Sequence, residues 1–236
     1  MRRLVSVLLW IIGAILLIYL IRYPIQQSAD SWESWNLPLA GKKIVLDPGH
    51  GGPDGGAVGD EDTFEKDIAL EVSEKIRDYL QQAGALVYLT RETDKDLAAE
   101  DTTGLSRRKV EDIKNRVAFI EEKDPDVFIT IHLNALPSSR WRGAQTFYHP
   151  TLSESKKLAE LIQEQIKYNL ENTNRDALAI NGVYVLKHAN RPASLVEIGF
   201  LSNPEERELL RTDAYQDQMA ASIYQGILSF LTAPDL

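Results

Sequence analysis

Two histidines and two glutamates stand where a sequence of this kind places chemistry. His50 sits in the stretch 44-IVLDPGHGGPDGGAVG-59, a buried strand that dissolves into a loop holding six of the chain's fourteen glycines. His132 interrupts the apolar run 129-ITIHLNA-135, and Glu197 lies inside 194-SLVEIGF-200. Glu65 precedes Ile68, Ala69, Val72, Ile76 and Leu80 at helical spacing, so it belongs to the inward stripe of the helix after the glycine loop. In open parallel sheets, ligands gather beyond the carboxyl ends of the strands, which is where His50, His132 and Glu197 fall. Two imidazoles and one carboxylate form a known open zinc site that leaves a position for water. A further glutamate nearby can take a proton from that water and pass it to a departing amine.

Other chemistries fail on the residues. A nucleotide phosphate loop needs a Lys-Ser or Lys-Thr after its glycines, and none follows here. A dinucleotide fingerprint counted from Gly49 and Gly51 meets Asp54 where its third glycine belongs. The helical H-E-x-x-H zinc motif is absent. Each residue also has a plainer reading. The glycines can simply turn the chain, Glu65 can cap a helix that Thr63 begins, and His132 and Glu197 can be partnered core groups. Asp47 is expected to brace His50 from behind. His149, before Pro150, and His188, in KHANRP, read as surface positions.

The elements that must position these groups alternate. Strands are expected at Lys43–Leu46, 85–90, 127–133, 143–149, 183–187 and 194–200. Helices are expected at 64–84, 105–123, 152–172, 204–211 and 213–231. This pattern predicts an α/β fold, a twisted and largely parallel sheet sandwiched between helices in one catalytic domain.

The 236 residues suffice for one sizeable core, and their 44% hydrophobic and 26% charged content is that of a globular protein. Net charge is −9, and it is −12 once the acid-free residues 1–23 are set aside. Such a surface repels phosphate backbones and excludes nucleic acid as a partner. The absence of cysteine removes disulfides, thiolate metal sites and a cysteine nucleophile.

Residues 4–21, LVSVLLWIIGAILLIYLI, follow Arg2 and Arg3 and would span about 27 Å as a helix, close to the hydrocarbon thickness of a bilayer. The leading arginines favour a cytoplasmic N-terminus, so everything after Pro24 is expected outside. Residues 1–23 are therefore read as a signal anchor, with a cleaved signal peptide as the rival. Residues 24–40 read as a tether and 41–236 as the catalytic domain.

Taken together, VLDPGHGGPDGG, the acid in TFEKDIA, ITIHLNA and PASLVEIGFLSN resemble the zinc-dependent N-acetylmuramoyl-L-alanine amidases of the type-3 amidase family, from about Lys42 to Leu231. The resemblance implies Zn²⁺ on His50, Glu65 and His132 and a catalytic role for Glu197. Arg116 and Asn134 match supporting positions. The N-terminal anchor, the entry SWESWNLPLAGKKIVLDPGHGGPDGGAVG and the insert LTRETDKDLAAEDTTGLSRRK are similar to sporulation amidases of endospore-forming bacteria. That similarity implies peptidoglycan as substrate and stem-peptide removal in the spore cortex. A muramic acid deacetylase would follow and form muramic-δ-lactam. It implies work outside the cytoplasm, in the forespore intermembrane space or cortex, and a bearing on germination. Nothing after Leu231 reads as a wall-binding module, so targeting is expected from the anchor, the cleft or an activating partner protein. A zinc peptidase acting within the stem peptide has the same site chemistry and stays open. A non-catalytic wall-binding regulator is the reading from another class, and the presence of all four reactive residues weighs against it.

Overall fold

The computed structural model describes residues 5, 6, 9–19, 37–60 and 62–233. Two compact units divide the chain, residues 1–37 and 38–236. In the first, residues 5–6 and 9–19 are helical, and apolar side chains from Leu9 to Tyr19 lie open, Trp10 at 81% exposure. Among the described residues no helix is long and apolar enough to cross a membrane. The remainder of the expected anchor, and the tether up to Asn36, lie outside the described residues.

The second unit carries a six-stranded sheet: β1 (Lys43–Pro48), β2 (Leu86–Leu89), β3 (Val127–Asn134), β4 (Gln145–Tyr148), β5 (Leu178–Ala179) and β6 (Ala193–Phe200). Its helices are α1 (Glu65–Gln82), α2 (Leu105–Lys123), α3 (Ser153–Leu170), α4 (Tyr184–His188), α5 (Pro204–Leu210) and α6 (Asp213–Thr232). Strand order is β2-β1-β3-β6-β4-β5. The pairs β1–β2, β1–β3 and β3–β6 are parallel, while β4 runs antiparallel to β6 and parallel to β5. The sheet is thus mixed, with its reversed strands at one edge.

Alternation along the strands sorts the two faces. Ile129, Ile131 and Leu133 of β3 and Val196 and Ile198 of β6 pack with α1, α3 and α6. Val45, Phe128 and Leu195 pack with Val117 and Ile120 of α2 and Val185 and Leu186 of α4. Each fully buried Ile or Leu contributes about 1.5–3 kcal/mol from burial. His132, four residues after Phe128, and Glu197, two after Leu195, therefore face the α2/α4 side.

One expected strand is a helix. A strand is expected over residues 183–187, but Tyr184–His188 winds as α4. A five-residue apolar run carries no period long enough to separate the two states. Its adjacent Val185 and Leu186 are both buried, and the rings of Tyr184 and His188, one turn apart, lie 4.2 Å from each other.

A candidate metal centre at the sheet switch point

From β1 the chain moves outward to β2 and then returns to β1's other side as β3, so the crevice between β1 and β3 is where an α/β sheet opens to ligand. His50 lies just past β1, and Glu65 opens α1. His132 is in β3, and its register partner on β6 is Glu197. The ligand atoms of His50, Glu65 and His132 all lie within 4.8 Å of one another. The imidazoles meet edge to face at 5.1 Å. Glu65 is 3% exposed and bridges them, with Oε1 2.8 Å from His132 Nδ1 and Oε2 3.2 Å from His50 Nε2.

The glutamate does not cap its helix. Phe64, not Thr63, is the N-cap residue, and no side-chain capping bond is made there. Instead Glu65 accepts from the backbone N–H of Ala57 at 2.6 Å and of Leu133 at 2.9 Å. Burial alone would raise its pKa, but the hydrogen bonds and charges of His132 and His50 outweigh burial and hold the carboxyl well below its ordinary range. Burial likewise opposes the charge on His50, yet Glu65 and Asp54 raise its proton affinity.

Close packing explains two of the glycines. A Cβ on Gly49 would stand 2.4 Å from the His132 ring. Gly56, at φ +72°, would drive one to 2.5 Å from Glu65 Oε2. His50 itself is left-handed at φ 62°, a conformation that costs a non-glycine residue about 1–2 kcal/mol. Two arginines hold this backbone. Arg91 donates from Nε to Pro48 O at 3.0 Å and from Nη2 to Gly49 O at 3.0 Å and Lys66 O at 2.6 Å. Arg116 donates to Pro48 O at 2.9 Å and His50 O at 2.6 Å.

The brace on His50 is Asp54, not Asp47. Asp54 Oδ2 lies 2.9 Å from His50 Nδ1, which turns Nε2 toward Glu65. Asp47 is committed elsewhere: it accepts from Thr90 at 2.6 Å and Thr130 at 2.8 Å and pairs with Arg116, whose Nε also meets Asp112 at 2.9 Å. Burial pushes the Asp47 carboxyl up, and Arg116 with the two hydroxyls brings it below its usual range. Asn134 ties β3 to the turn after β6 through its carbonyl, which accepts from Leu201 N at 2.8 Å. His149 bonds Thr151, and His188 rests on Tyr184; neither joins the cluster.

Glu197 is the exception among these acids. It is partly buried, and among the described residues its Oε2 is a buried oxygen with no hydrogen-bond partner. Burial pushes its pKa up to about 7, with Glu65 adding to the rise and the histidines opposing it. Asp54 and Arg91 support the site although neither is among the residues expected from the sequence. The signal for Asp54 was its place four residues after His50 in HGGPD; for Arg91 it was a charge directly after an apolar strand.

Two imidazoles and one carboxylate converge beyond a largely parallel sheet, beside a glutamate whose Oε2 has no partner among the described residues; this is a donor set that could hold a metal ion in a hydrolase. The sequence matches the N-acetylmuramoyl-L-alanine amidase family over residues 44–229, and the chain belongs to that family. The germination-specific N-acetylmuramoyl-L-alanine amidase of Bacillus subtilis (strain 168) is 51% identical over 232 residues, 98% of this chain and 97% of the relative. The CwlD amidase from Clostridioides difficile, solved in complex with the GerS lipoprotein, is 40% identical with a TM-score of 0.80. That match covers 82% of this chain and all of the other. The catalytic domain of CwlV, an N-acetylmuramoyl-L-alanine amidase from Bacillus (Paenibacillus) polymyxa var. colistinus, matches at 31% identity and TM-score 0.71 over 82% of this chain and 99% of the other.

Proposed function

We propose that this chain hydrolyses the amide between N-acetylmuramic acid and L-alanine in peptidoglycan, with zinc held by His50, Glu65 and His132 and with Glu197 as the catalytic acid and base. The observation that carries the reading is the convergence of three ligand atoms within 4.8 Å beside a carboxylate whose Oε2 has no partner. The donor set fits zinc, because two imidazoles and one carboxylate leave an open coordination position. Zinc there would act as a Lewis acid on the scissile carbonyl and lower the pKa of water toward about 7.

The chain's own residues account for the proton. Glu197, in register with His132, accepts a proton from the attacking water as oxygen joins the lactyl carbonyl carbon. It returns that proton to the alanine nitrogen as the C–N bond breaks, which leaves a lactyl carboxylic acid and an amine; at neutral pH the acid's proton passes to the amine, giving carboxylate and ammonium. Burial raises the proton affinity of Glu197 above that of an ordinary carboxyl, which favours its accepting a proton as well as releasing one. Asp54 fixes the His50 ring, and the two arginines fix the backbone that carries it.

The wider reading follows the relatives. The kinship with the germination-specific amidase supports stem-peptide removal in spore cortex, ahead of a deacetylase that forms muramic-δ-lactam. The lipoprotein complex of the Clostridioides difficile relative supports an activating partner. Residues 1–23 serve as the signal anchor, 24–40 as the tether and 41–236 as the extracytoplasmic catalytic domain; the apolar, open residues 9–19 favour this.

Zinc content and product masses test the proposal. Full-length protein in detergent should bind one zinc and release from spore peptidoglycan peptides that begin with free L-alanine. Alanine retained on the sugar would establish the peptidase reading instead. Zinc bound with no peptide released, with or without a lipoprotein partner, would refute hydrolysis.

A further inference from the structure

A cavity of about 290 Å³ opens beside the metal centre. One wall is a single face of α2, where Lys109, Asp112, Ile113 and Arg116 recur at helical spacing. Val183, Tyr184, Val185 and Leu195 supply apolar lining. Most charges on this cavity are already matched. Arg116 is engaged by Asp47, Asp112 and two carbonyls. Asp112 also accepts from Leu97 N at 2.8 Å.

Lys109 differs. Its ammonium carries three donors and, among the described residues, meets one acceptor, Asp54 Oδ2 at 3.1 Å. The side chain is 48% exposed, so the other donors are open to an arriving ligand. Asp54 in turn touches the His50 ring, so the ammonium stands two contacts from the metal ligand. A dipeptide, at about 3.5 Å per residue, spans such a distance. In a stem peptide the residue after L-alanine is D-isoglutamate, whose α-carboxylate is free unless amidated. Among the described residues, the remaining ionisable groups on the cavity are three aspartates, Tyr184, the matched Arg116 and the two histidines, which leaves Lys109 as the cation placed to receive that anion.

We propose that Lys109 is a specificity-determining residue that binds the α-carboxylate of the second stem-peptide residue. The inference rests on the amidase reading above. The competing role is structural, in which Lys109 steadies Asp54 and, through it, His50.

Two muramyl dipeptides with the γ-carboxyl blocked as the methylamide separate these roles, one with a free α-carboxylate on its D-glutamyl residue and one with the neutral α-carboxamide. With full-length, zinc-loaded protein in detergent, kcat/KM should favour the acid about tenfold. That is the low end for a charge-assisted hydrogen bond, because Lys109 is half exposed. Lys109→Met should bring the ratio to about one, and Lys109→Arg should restore it. A wild-type ratio of one, or a ratio that survives Lys109→Met while both rates fall, overturns the proposal and leaves Lys109 as support for Asp54. Calorimetry poses the same question without turnover. L-alanyl-D-glutamate γ-methylamide, with its α-carboxylate free, should bind Glu197→Gln about tenfold more tightly than the corresponding α-carboxamide, and the double variant Glu197→Gln/Lys109→Met should lose the difference. Preferential binding without hydrolysis would sink the amidase reading and keep the anion subsite. Hydrolysis without preference in either measurement would do the reverse.

Discussion

Replacing Glu197 by glutamine should make the metal-free protein more stable, and increasingly so as pH rises. Burial moves this carboxyl from an ordinary value of 4.5 to about 7 in the folded chain. The folded state therefore holds a proton that the unfolded state has released between pH 4.5 and 7, and stability falls as pH climbs through that window. At 1.36 kcal/mol per unit, the loss reaches roughly 3 kcal/mol at pH 8. Glutamine is near-isosteric and cannot ionise, so Glu197→Gln escapes this loss. Urea unfolding with a chelator present should show the variant about 3 kcal/mol more stable at pH 8, a midpoint shift of roughly 1.5 M, with the gap under about 1 kcal/mol by pH 5. Zinc should narrow the gap at pH 8, since a nearby cation stabilises the carboxylate. A gap that does not vary with pH, or a wild type that is the more stable at pH 8, would refute the account of Glu197 as a desolvated, unpartnered acid.

Two other perturbations address the supports of the site. Asp54→Asn should weaken zinc binding about 10–100-fold, measured by competition with a chromogenic chelator, while leaving thermal stability nearly unchanged; an unaltered affinity would show that Asp54 does not orient His50. Arg91→Met strands the carbonyl of Gly49 and removes one donor each from Pro48, which Arg116 still bonds, and from Lys66, so at about 1–3 kcal/mol for a buried unsatisfied group it should lower stability by roughly 1–3 kcal/mol in denaturant titration. A loss under 1 kcal/mol would mean that water replaces the guanidinium.

What could be read from the sequence was local or periodic. The stripe of α1 placed Glu65 with Ile68, Ala69, Val72, Ile76 and Leu80, and all six are buried. His132 and Glu197 stood out because a charge or imidazole in an apolar strand is costly without purpose. Partners drawn from distant segments were not legible. Asp47 meets Thr90, Thr130 and Arg116 from three separate elements, so nothing near it in the sequence revealed that it was already engaged. The reversal of β4 was equally hidden, because alternation fixes which side chains face the core but not which way the strand runs. Residues 183–187 failed for the opposite reason, since local propensity spoke for a strand where burial of Val185 and Leu186 against Val117 and Ile120 selects a helical turn.

The two glutamates of the site show why chemistry needed the fold. In sequence they are alike: each interrupts an apolar pattern. Folded, Glu65 receives two backbone N–H groups and two imidazoles, and its carboxyl is held ionised. Glu197 lies beside the same histidines, but among the described residues its Oε2 receives no donor, and burial raises its pKa to about 7 in the metal-free chain. An always-anionic carboxylate suits a metal ligand, which must compete for a cation and never carry a proton. A carboxylate poised near neutrality suits a proton carrier, which must be comfortable in both states. Exchanging the roles would put a readily protonated group on the metal and an obstinate anion at the leaving nitrogen. On the roles proposed above, the difference between ligand and base would be written in what surrounds each carboxylate, and the neighbours that set it come from α1, β3, β6 and the glycine loop at once.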